Sequence, residues 1–472
     1  MKIKNIYYLF SVKDKYFTDF SHVLYEENSN YHFFGLAYAR NSFLQDGIYQ
    51  HVSFISDILR KQTGSIDETF LVEIENKYGV NIATMIHADR HLMRFPKASR
   101  LYFAQEILRL FIHEMRQFNI DMVIAESVAD LISYFAPFYC RFHQLNFFYT
   151  SYVGYGSRAC LTSDIDSEPE NFRQQFYDNR LAIKQGKIQP ESVEGKLNRY
   201  ILTKKKPAYL ALGNTAYKIF KLDDLKTFLG YCSSYFRDTK GMHFDRQPLL
   251  TPLYRLRRIL RKISYKKCMA KVGMKFSELS KTKYIIYPLH FEPEASTLIQ
   301  GRWLNDQKKI IEILSKHVPA DIKIIVKEHQ PSIGRRPLRF YEDLLHYHNV
   351  FFVDDTMDSY QLIEHSIGVA VISSTMGLEA LMLKKPVISF GERFYNISNN
   401  VYCIENYKQM HAVIMQMLNH HFDWEDTLAI FYTLFNLTKD LGCIAHLGYT
   451  KDDLKILANE VIQLHPVGTF TN

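Results

Sequence analysis

The six cysteines, Cys140, Cys160, Cys232, Cys268, Cys403 and Cys443, include no CxxC pair and no Cys/His spacing of a zinc site. Their scatter excludes a disulfide framework and a structural metal, and fits reduced, buried thiols in a cytosolic enzyme. No stretch approaches the ~20 uninterrupted apolar residues that a membrane span needs. The start, MKIKNIYYLFSVKDKYF, has only a short apolar run before Lys13 and Asp14. It reads as a first strand rather than a signal peptide, so a cytoplasmic location is expected. No repeat of fixed period and no low-complexity tract occurs. Tryptophan is scarce, at two, yet Phe and Tyr bring the aromatic share to 14%, and 47% of residues are hydrophobic. That composition excludes disorder, collagen-like repeats and coiled coils, and 472 residues suit two to three domains with real cores.

Acidic residues are missing from one stretch. Between Arg246 and Lys275 stand ten Lys or Arg and no Asp or Glu, so this segment accounts for the net charge of +8. LYRLRRILRKI alternates apolar and basic residues at helical spacing. A solvated helix face and contact with anionic lipid headgroups both fit, the latter contributing about 1 kcal/mol per basic residue near the surface. Nucleic-acid binding is disfavoured, because no recognised module accompanies the run.

What is present is clearest in the C-terminal half. β-Branched apolar runs at 283–288, 322–327, 350–353, 368–373 and 386–390 alternate with amphipathic stretches at 306–317, 338–347, 358–365 and 375–383. Such alternation predicts βαβ units and a parallel sheet covered on both faces, with ligands beyond the carboxyl ends of the strands. The N-terminal half repeats the theme. Strands are expected at 3–10, 31–37, 121–125 and 145–150, with helices at 101–119 and 127–142. The predicted organisation is α/β: an N-terminal Rossmann-like domain over 1–160, a helical insertion and basic linker over 161–280, a C-terminal Rossmann-like domain over 281–405, and helices over 406–472 packing back across the domains.

Three polar segments fall at strand ends. YPLHFEPEAST carries His290, Glu292 and Glu294; its plain reading is a polar loop with a helix cap. VKEHQP presents Lys327 and His329, which suit phosphates or a base, although a lone histidine is more often structural. VISSTMGLEA turns from a strand into a helix through Ser373, Ser374 and Thr375. First-turn amides lack intrahelical partners and stabilise an anion. Gly377 would let a phosphate approach the backbone, and Glu379 could accept ribose hydroxyls. An ordinary Ser/Thr cap is the alternative.

Together, PLHFEPEAST, VKEHQP, ISSTMGLEALMLKKPVISFG and the following ERFY resemble the capsule polysaccharide biosynthesis family, which includes bacterial Kdo transferases. The likeness covers about residues 283–395. It implies a GT-B-like architecture of two Rossmann-like domains facing a cleft, with the nucleotide sugar in the C-terminal domain and the acceptor mainly in the N-terminal one. It also implies a CMP-linked ulosonic donor, with Lys327, His329, Ser373, Ser374, Thr375, Gly377 and Glu379 holding the nucleotide. The family's His-Pro dipeptide stands here as His329-Gln330-Pro331, and its Gly-Thr as Ser374-Thr375.

A GT-B enzyme needs no bound metal or other cofactor, since helix amides and basic side chains stabilise the leaving phosphate. Asp164-Ile-Asp166 reads as a solvated loop rather than a metal site. Glu126, at a strand end facing the expected cleft, is the candidate base, with Glu292 and His290 as rivals. A first-turn glutamate serving the helix dipole is its plain reading. Arg158 and Arg302 could pair with a donor carboxylate or the acceptor. The expected activity is transfer of a Kdo-like or nonulosonic sugar onto a capsule or lipopolysaccharide glycan, at the inner face of the cytoplasmic membrane. The alternatives are a UDP- or GDP-sugar or CDP-polyol donor, a sugar-nucleotide epimerase, or a non-catalytic membrane-associated scaffold.

Overall fold

The computed structural model describes residues 4–10, 14–40, 43–61, 63–203, 251–292, 294, 296–301, 303–441 and 449–463, with backbone alone at 14, 203, 251–255 and 296. These residues divide into two compact units. One holds those up to Glu170 and those from Thr438; the other holds those from Asn171 to Leu437.

In the first unit, β1 (Lys4–Phe10), β2 (Tyr31–Ala37), β3 (Tyr49–Phe54), β4 (Met122–Ala125), β5 (Asn146–Tyr152) and β6 (Arg158–Thr162) form one sheet with the short strand Lys439–Asp440. The order is Lys439–Asp440, β6, β5, β4, β1, β2, β3. From β5 to β3 all pairs are parallel, while β6 and the short strand run antiparallel. β1 is buried on both faces, as a central parallel strand must be. Tyr8 turns to an aromatic cluster with Phe10, Phe17 and Phe33, and Tyr7 turns to Phe111 on the other side. Gly35 in β2 has no room for a side chain, because a Cβ would collide with the Phe10 ring. The long helix Lys97–Gln117 buries Phe103, Ile107, Phe111 and Met115 at i, i+4 spacing, a single apolar stripe. The chain's last described helix, Lys451–Gln463, adds Leu454, Leu457, Ala458 and Val461 to the core that holds Phe20 and Leu24.

In the second unit, β7 (Lys283–Pro288), β8 (Ile322–Lys327), β9 (Val350–Phe352), β10 (Gly368–Val371), β11 (Val387–Ser389) and β12 (Val401–Cys403) are parallel and ordered β12-β11-β10-β7-β8-β9. Counted within the unit this is the doubly wound order 3-2-1-4-5-6, which reverses direction between β7 and β10. Helices Gln307–His317, Ser359–His365 and Thr375–Met382 are capped by the side chains of Asp306, Asp358 and Ser374. Phe172–Lys184 packs against Trp424–Leu437, where Arg180 pairs with Asp423 and the buried Asp426.

The two Rossmann-like α/β units expected from the sequence are present. Strands 283–288 and 322–327 match to the residue, and the other predicted elements of that half lie within two residues of their observed bounds. The helix expected at 127–142 begins at Leu131, because Asp130 and Ser133 form a capping box that fixes its start. Of the described cysteines, Cys140 and Cys160 are buried as expected, whereas Cys403 is exposed.

Asp89 organises the first unit's loops. Fully buried, it accepts hydrogen bonds from the Tyr38 hydroxyl at 2.6 Å and from the amides of His91, Leu92 and Leu131 at 2.7, 2.9 and 3.0 Å. Asp89→Ala is expected to lower the unit's stability by about 3 kcal/mol or more, with Asp89→Asn losing less because one acceptor remains. Thermal or urea unfolding checks this; two variants as stable as the parent chain would deny Asp89 that role.

Candidate site at the strand ends of the second unit

All three polar segments lie at the carboxyl edge of the second sheet, and buried side chains join them. β7 runs into Leu289 and His290, β8 into Glu328 and His329, and β10 into Ile372 and Ser373. Glu328, 1% exposed, accepts from Arg336 Nη1 at 2.6 Å, the Tyr341 hydroxyl at 2.6 Å and the His329 amide at 2.7 Å. Burial raises its carboxyl above the usual range, with Arg336 and Tyr341 opposing. Arg336 reaches across to β7, donating through Nη2 to the His290 carbonyl and lying 3.6 Å from Glu292. Gln307 braces the same point, accepting from the His290 amide at 2.6 Å and donating to its carbonyl at 3.2 Å.

The His290 ring spans the switch point. Its Nε2 accepts from the Ser373 amide at 3.3 Å, tying the end of β7 to the end of β10. Burial, with the charges of His329 and Arg336, pushes its pKa down to about 3. The ring is therefore neutral, and since Nε2 accepts, the proton sits on Nδ1. Placed so, His290 is a strut. His329 is pushed down to about 4, chiefly by burial and then by Arg336 and Lys327. Its ring meets that of Phe291 edge-on, centroids 6.2 Å apart, and Phe291 in turn carries the Arg335 guanidinium at 4.3 Å. Lys327 is 9% exposed and donates to the Asp355 carbonyl at 2.9 Å; burial lowers its pKa.

The start of the helix Thr375–Met382 is open. Ser373 is buried, Ser374 half-buried and Thr375 exposed. Ser374 Oγ accepts from the Met376 amide at 3.1 Å as the cap, and its carbonyl accepts from the Tyr395 hydroxyl at 2.8 Å. No hydrogen bond to a described residue is formed by the amide of Thr375. At Gly377, which the sequence reading gave to the approach of a phosphate, a Cβ would stand 2.7 Å from the Tyr395 hydroxyl, so the glycine also makes room for the tyrosine. Glu379, partly buried, lies one turn beyond Thr375, where its charge acts on Tyr360.

Glu292 is exposed beside Arg336, and Arg302 lies outside the described residues. Glu126 and Arg158 belong to the first unit. Glu126 directly follows β4 and is 7% exposed, with its amide on the Leu9 carbonyl at 3.2 Å. The next helix starts only at Leu131, so Glu126 is not the first-turn glutamate that the plain reading supposed. Arg158 is turned to Thr438, with Nε 2.8 Å from its hydroxyl and Nη2 on its carbonyl, an anchor for the tail strand. Asp164 caps a turn, accepting from the Asp166 amide at 2.7 Å. Among the described residues no group of three or more His, Cys, Asp or Glu is placed to hold a metal.

Sequence reasoning gave no role to Glu328, Arg336, Gln307 or Tyr395. Glu328 had a usable signal, since a carboxylate just past a fully buried strand needs a counter-cation nearby.

The second unit is thus a doubly wound α/β domain whose polar strand ends flank its switch point, the place where such sheets take ligands. Residues 222–400 match the family model described as capsule polysaccharide biosynthesis protein, so the family resemblance seen in the sequence holds over that stretch. Over 125 residues the chain is 27% identical to the protein FixF of Sinorhizobium fredii (strain NBRC 101917 / NGR234), a match that covers 25% of this chain and 29% of that protein. The chain therefore spans less than a third of that relative's length. Among solved structures, the beta Kdo 2,7 transferase KpsC of Thermosulfurimonas dismutans is similar at 13% identity and a TM-score of 0.33, over 76% of this chain and 90% of that one. A glycosyltransferase from Rickettsia africae matches at 12% identity and a TM-score of 0.30, over 98% and 99%. The UDP-GlcNAc 2-epimerase of Methanocaldococcus jannaschii matches at 10% and 0.34, over 98% and 100%. At these TM-scores the likenesses carry no weight for function.

Arg336→Met is expected to cost about 3–5 kcal/mol, because it leaves Glu328 charged and buried without its partner. Adding Glu328→Gln should restore part of that loss; equal stability of parent and single variant in urea would deny the pair its role. The histidines predict an acid limb. Both fold with pKa values below the unfolded value of about 6.5, so the stability they contribute is full above that pH and drains away as pH falls toward about 4 and 3. His290→Gln keeps an acceptor for the Ser373 amide and should flatten the melting-temperature profile between about pH 6 and 4. Superimposable profiles would contradict this.

Proposed function

We propose that this protein is a metal-independent glycosyltransferase that moves a Kdo-like or nonulosonic sugar from a CMP donor onto a capsule or lipopolysaccharide glycan. One observation carries the reading: the open helix start at Ser374 and Thr375 stands at the switch point of a doubly wound sheet, braced from behind by His290 and Tyr395. An anion there meets first-turn amides, the Thr375 hydroxyl and the positive end of the helix dipole, without any metal. Lys327 and His329, at the end of β8 two strands away, are the further nucleotide contacts, and Glu379 the candidate for the ribose. Glu126 is the candidate base: a buried carboxylate at the end of β4 in a unit that would receive the acceptor. Glu292 and His290 are the rivals. Arg302 and Arg158 remain the residues proposed for a donor carboxylate, although Arg158 would first have to leave Thr438.

A peripheral contact with anionic lipid belongs to the same reading. The helix Thr251–Val272 exposes Leu256, Leu260 and Ile263 beside Arg257, Lys267 and Lys271, a face suited to lie in a headgroup layer next to a lipid-linked acceptor. Among the described residues no helix is long and apolar enough to cross a membrane. Arg246 lies outside the described residues.

Thermal shift with CMP, UDP, GDP and CDP tests the donor, since a ligand bound only by the folded state raises its melting temperature. CMP is expected to give the largest shift. A larger shift with UDP, GDP or CDP would reassign the nucleotide, no shift at all would favour a scaffold, and donor turnover without acceptor would mark an epimerase. Thr375→Ala combined with Ser374→Ala should weaken nucleotide binding by about 1–3 kcal/mol. Thr375→Ala alone, which spares the cap, separates lost contact from lost helix stability. Glu126→Gln is expected to suppress turnover by orders of magnitude with donor binding retained; near-normal rates would move the base elsewhere.

A further inference from the structure

Among the described residues three lysine or arginine side chains are nine-tenths buried, Lys327, Arg336 and Arg393, all in the second unit. Burying a charge is costly unless a partner compensates it, and two of the three have partners. Arg336 holds Glu328, and Lys327 holds the Asp355 carbonyl. Arg393 is the exception. Its guanidinium forms no hydrogen bond or ion pair with a described residue, and its Nε is sealed from solvent without an acceptor. The guanidinium lies 5.4 Å from the centre of the Phe394 ring, a contact that fills none of its N–H donors. Its neighbour in sequence, Glu392, is exposed.

The backbone holds Arg393 in place. It follows β11 at the carboxyl edge of the sheet, next to the end of β10. The Gly391 amide donates to the Ile372 carbonyl at 2.9 Å and the Glu392 amide to the Gln300 carbonyl at 3.0 Å, while the Arg393 carbonyl accepts from the Asn396 amide at 2.9 Å. Gly391 has no room for a side chain, since a Cβ would stand 2.7 Å from the Gln300 carbonyl oxygen. Two residues beyond Arg393, the Tyr395 hydroxyl donates to the Ser374 carbonyl at 2.8 Å. Burial raises that hydroxyl above its usual range and the Arg393 charge opposes the rise, so the guanidinium is within electrostatic reach of a group resting on the helix start. A buried cation without an acceptor, fixed at the ligand edge, is completed by a ligand that brings negative charge.

We propose that Arg393 receives an oxyanion of the ligand, a sugar carboxylate or the phosphate itself, at the carboxyl end of β11. This rests on the nucleotide-sugar reading and deepens it. In that reading the nucleoside lies toward β8 and the phosphate at the turn after β10. The strand order β11-β10-β7-β8 puts Arg393 on the side of the phosphate away from the nucleoside, which in an activated sugar is the sugar's side. The carboxylate of an ulosonic acid hangs from the same carbon that bears the phosphate oxygen, so the two anions fall close together. A guanidinium fork matches either one. The unliganded chain then carries a charge that only the ligand compensates, stability given up for binding.

The test compares binding of CMP-N-acetylneuraminate (a CMP-linked nonulosonic acid), CMP, cytidine and inorganic pyrophosphate, by calorimetry, to the full chain and to Arg393→Met, Arg393→Lys and Arg339→Met. The last removes the same charge from an exposed position. Arg393→Met should lose about tenfold or more in affinity for CMP-N-acetylneuraminate, the scale of one charge-assisted hydrogen bond, with cytidine unchanged. A loss confined to that ligand assigns the guanidinium to the carboxylate, and an equal loss for CMP assigns it to the phosphate. Arg393→Lys should recover part of the affinity, and Arg339→Met should bind like the parent. Without ligand, Arg393→Met should melt no lower than the parent, because no hydrogen bond or ion pair is lost. Melting several degrees lower would give Arg393 a structural role and overturn the inference, as would undiminished binding of every probe the parent holds or an equal loss for cytidine. A parent chain that binds pyrophosphate in an Arg393-dependent way but no nucleotide supports the oxyanion site and removes the CMP reading. A parent that binds none of the four overturns both.

Discussion

Glu328 and Arg336 pair inside the second unit, and the shape of its ligand edge depends on that pairing. Neither group could be buried alone, since an ionised side chain without a partner costs several kcal/mol in a protein interior. Paired, they leave Arg336 with a second hand for the His290 carbonyl, so one guanidinium holds the loops of β7 and β8 in a fixed relation. His290 then passes the constraint to β10 through the Ser373 amide. Three strand ends far apart in sequence are thereby set as one surface. Such a pair contributes little net stability beyond what apolar residues would give; what it supplies is geometry.

On the proposed reading the chemistry beyond that surface is one of anion recognition. The helix start at Thr375 would offer amides and a hydroxyl, and Lys327 an ammonium group at the end of β8, two strands away. A ligand with a phosphate and other polar groups along its length fits this layout, as an activated sugar would. One flank of the basic helix is packed against the loop after β8, through Arg258 and Arg261, while Arg257, Lys267 and Lys271 are exposed among the described residues.

Much of this was legible in the residues themselves. β7 and β8 could be read to the residue because continuous β-branched runs buried on both faces leave no other register. The three segments were found because strand ends in a parallel sheet must carry the ligand chemistry. Illegible were contacts made in three dimensions only. Arg158 looked available for a carboxylate, yet it is committed to Thr438, 280 residues on, by a tail strand of two residues that no periodicity reveals. At Gly377 the sequence did not show that Tyr395 packs against the missing side chain. His290 was read as a rival base; its tie to the Ser373 amide, which links β7 to β10, could not be read from its neighbours in sequence. Asp130 set the helix start at Leu131, beyond Glu126, because Ser133 completed a box with it, and that removed the first-turn reading of Glu126.

The central claim is that the turn from β10 into its helix grips the phosphate of an activated sugar. A crystal structure of the chain with CMP bound tests it most directly. The account predicts the phosphate within hydrogen-bonding distance of the Ser374 and Thr375 amides, with the nucleoside lying toward Lys327 and His329. Nucleotide density elsewhere on the molecule, with that helix start bare, would contradict it.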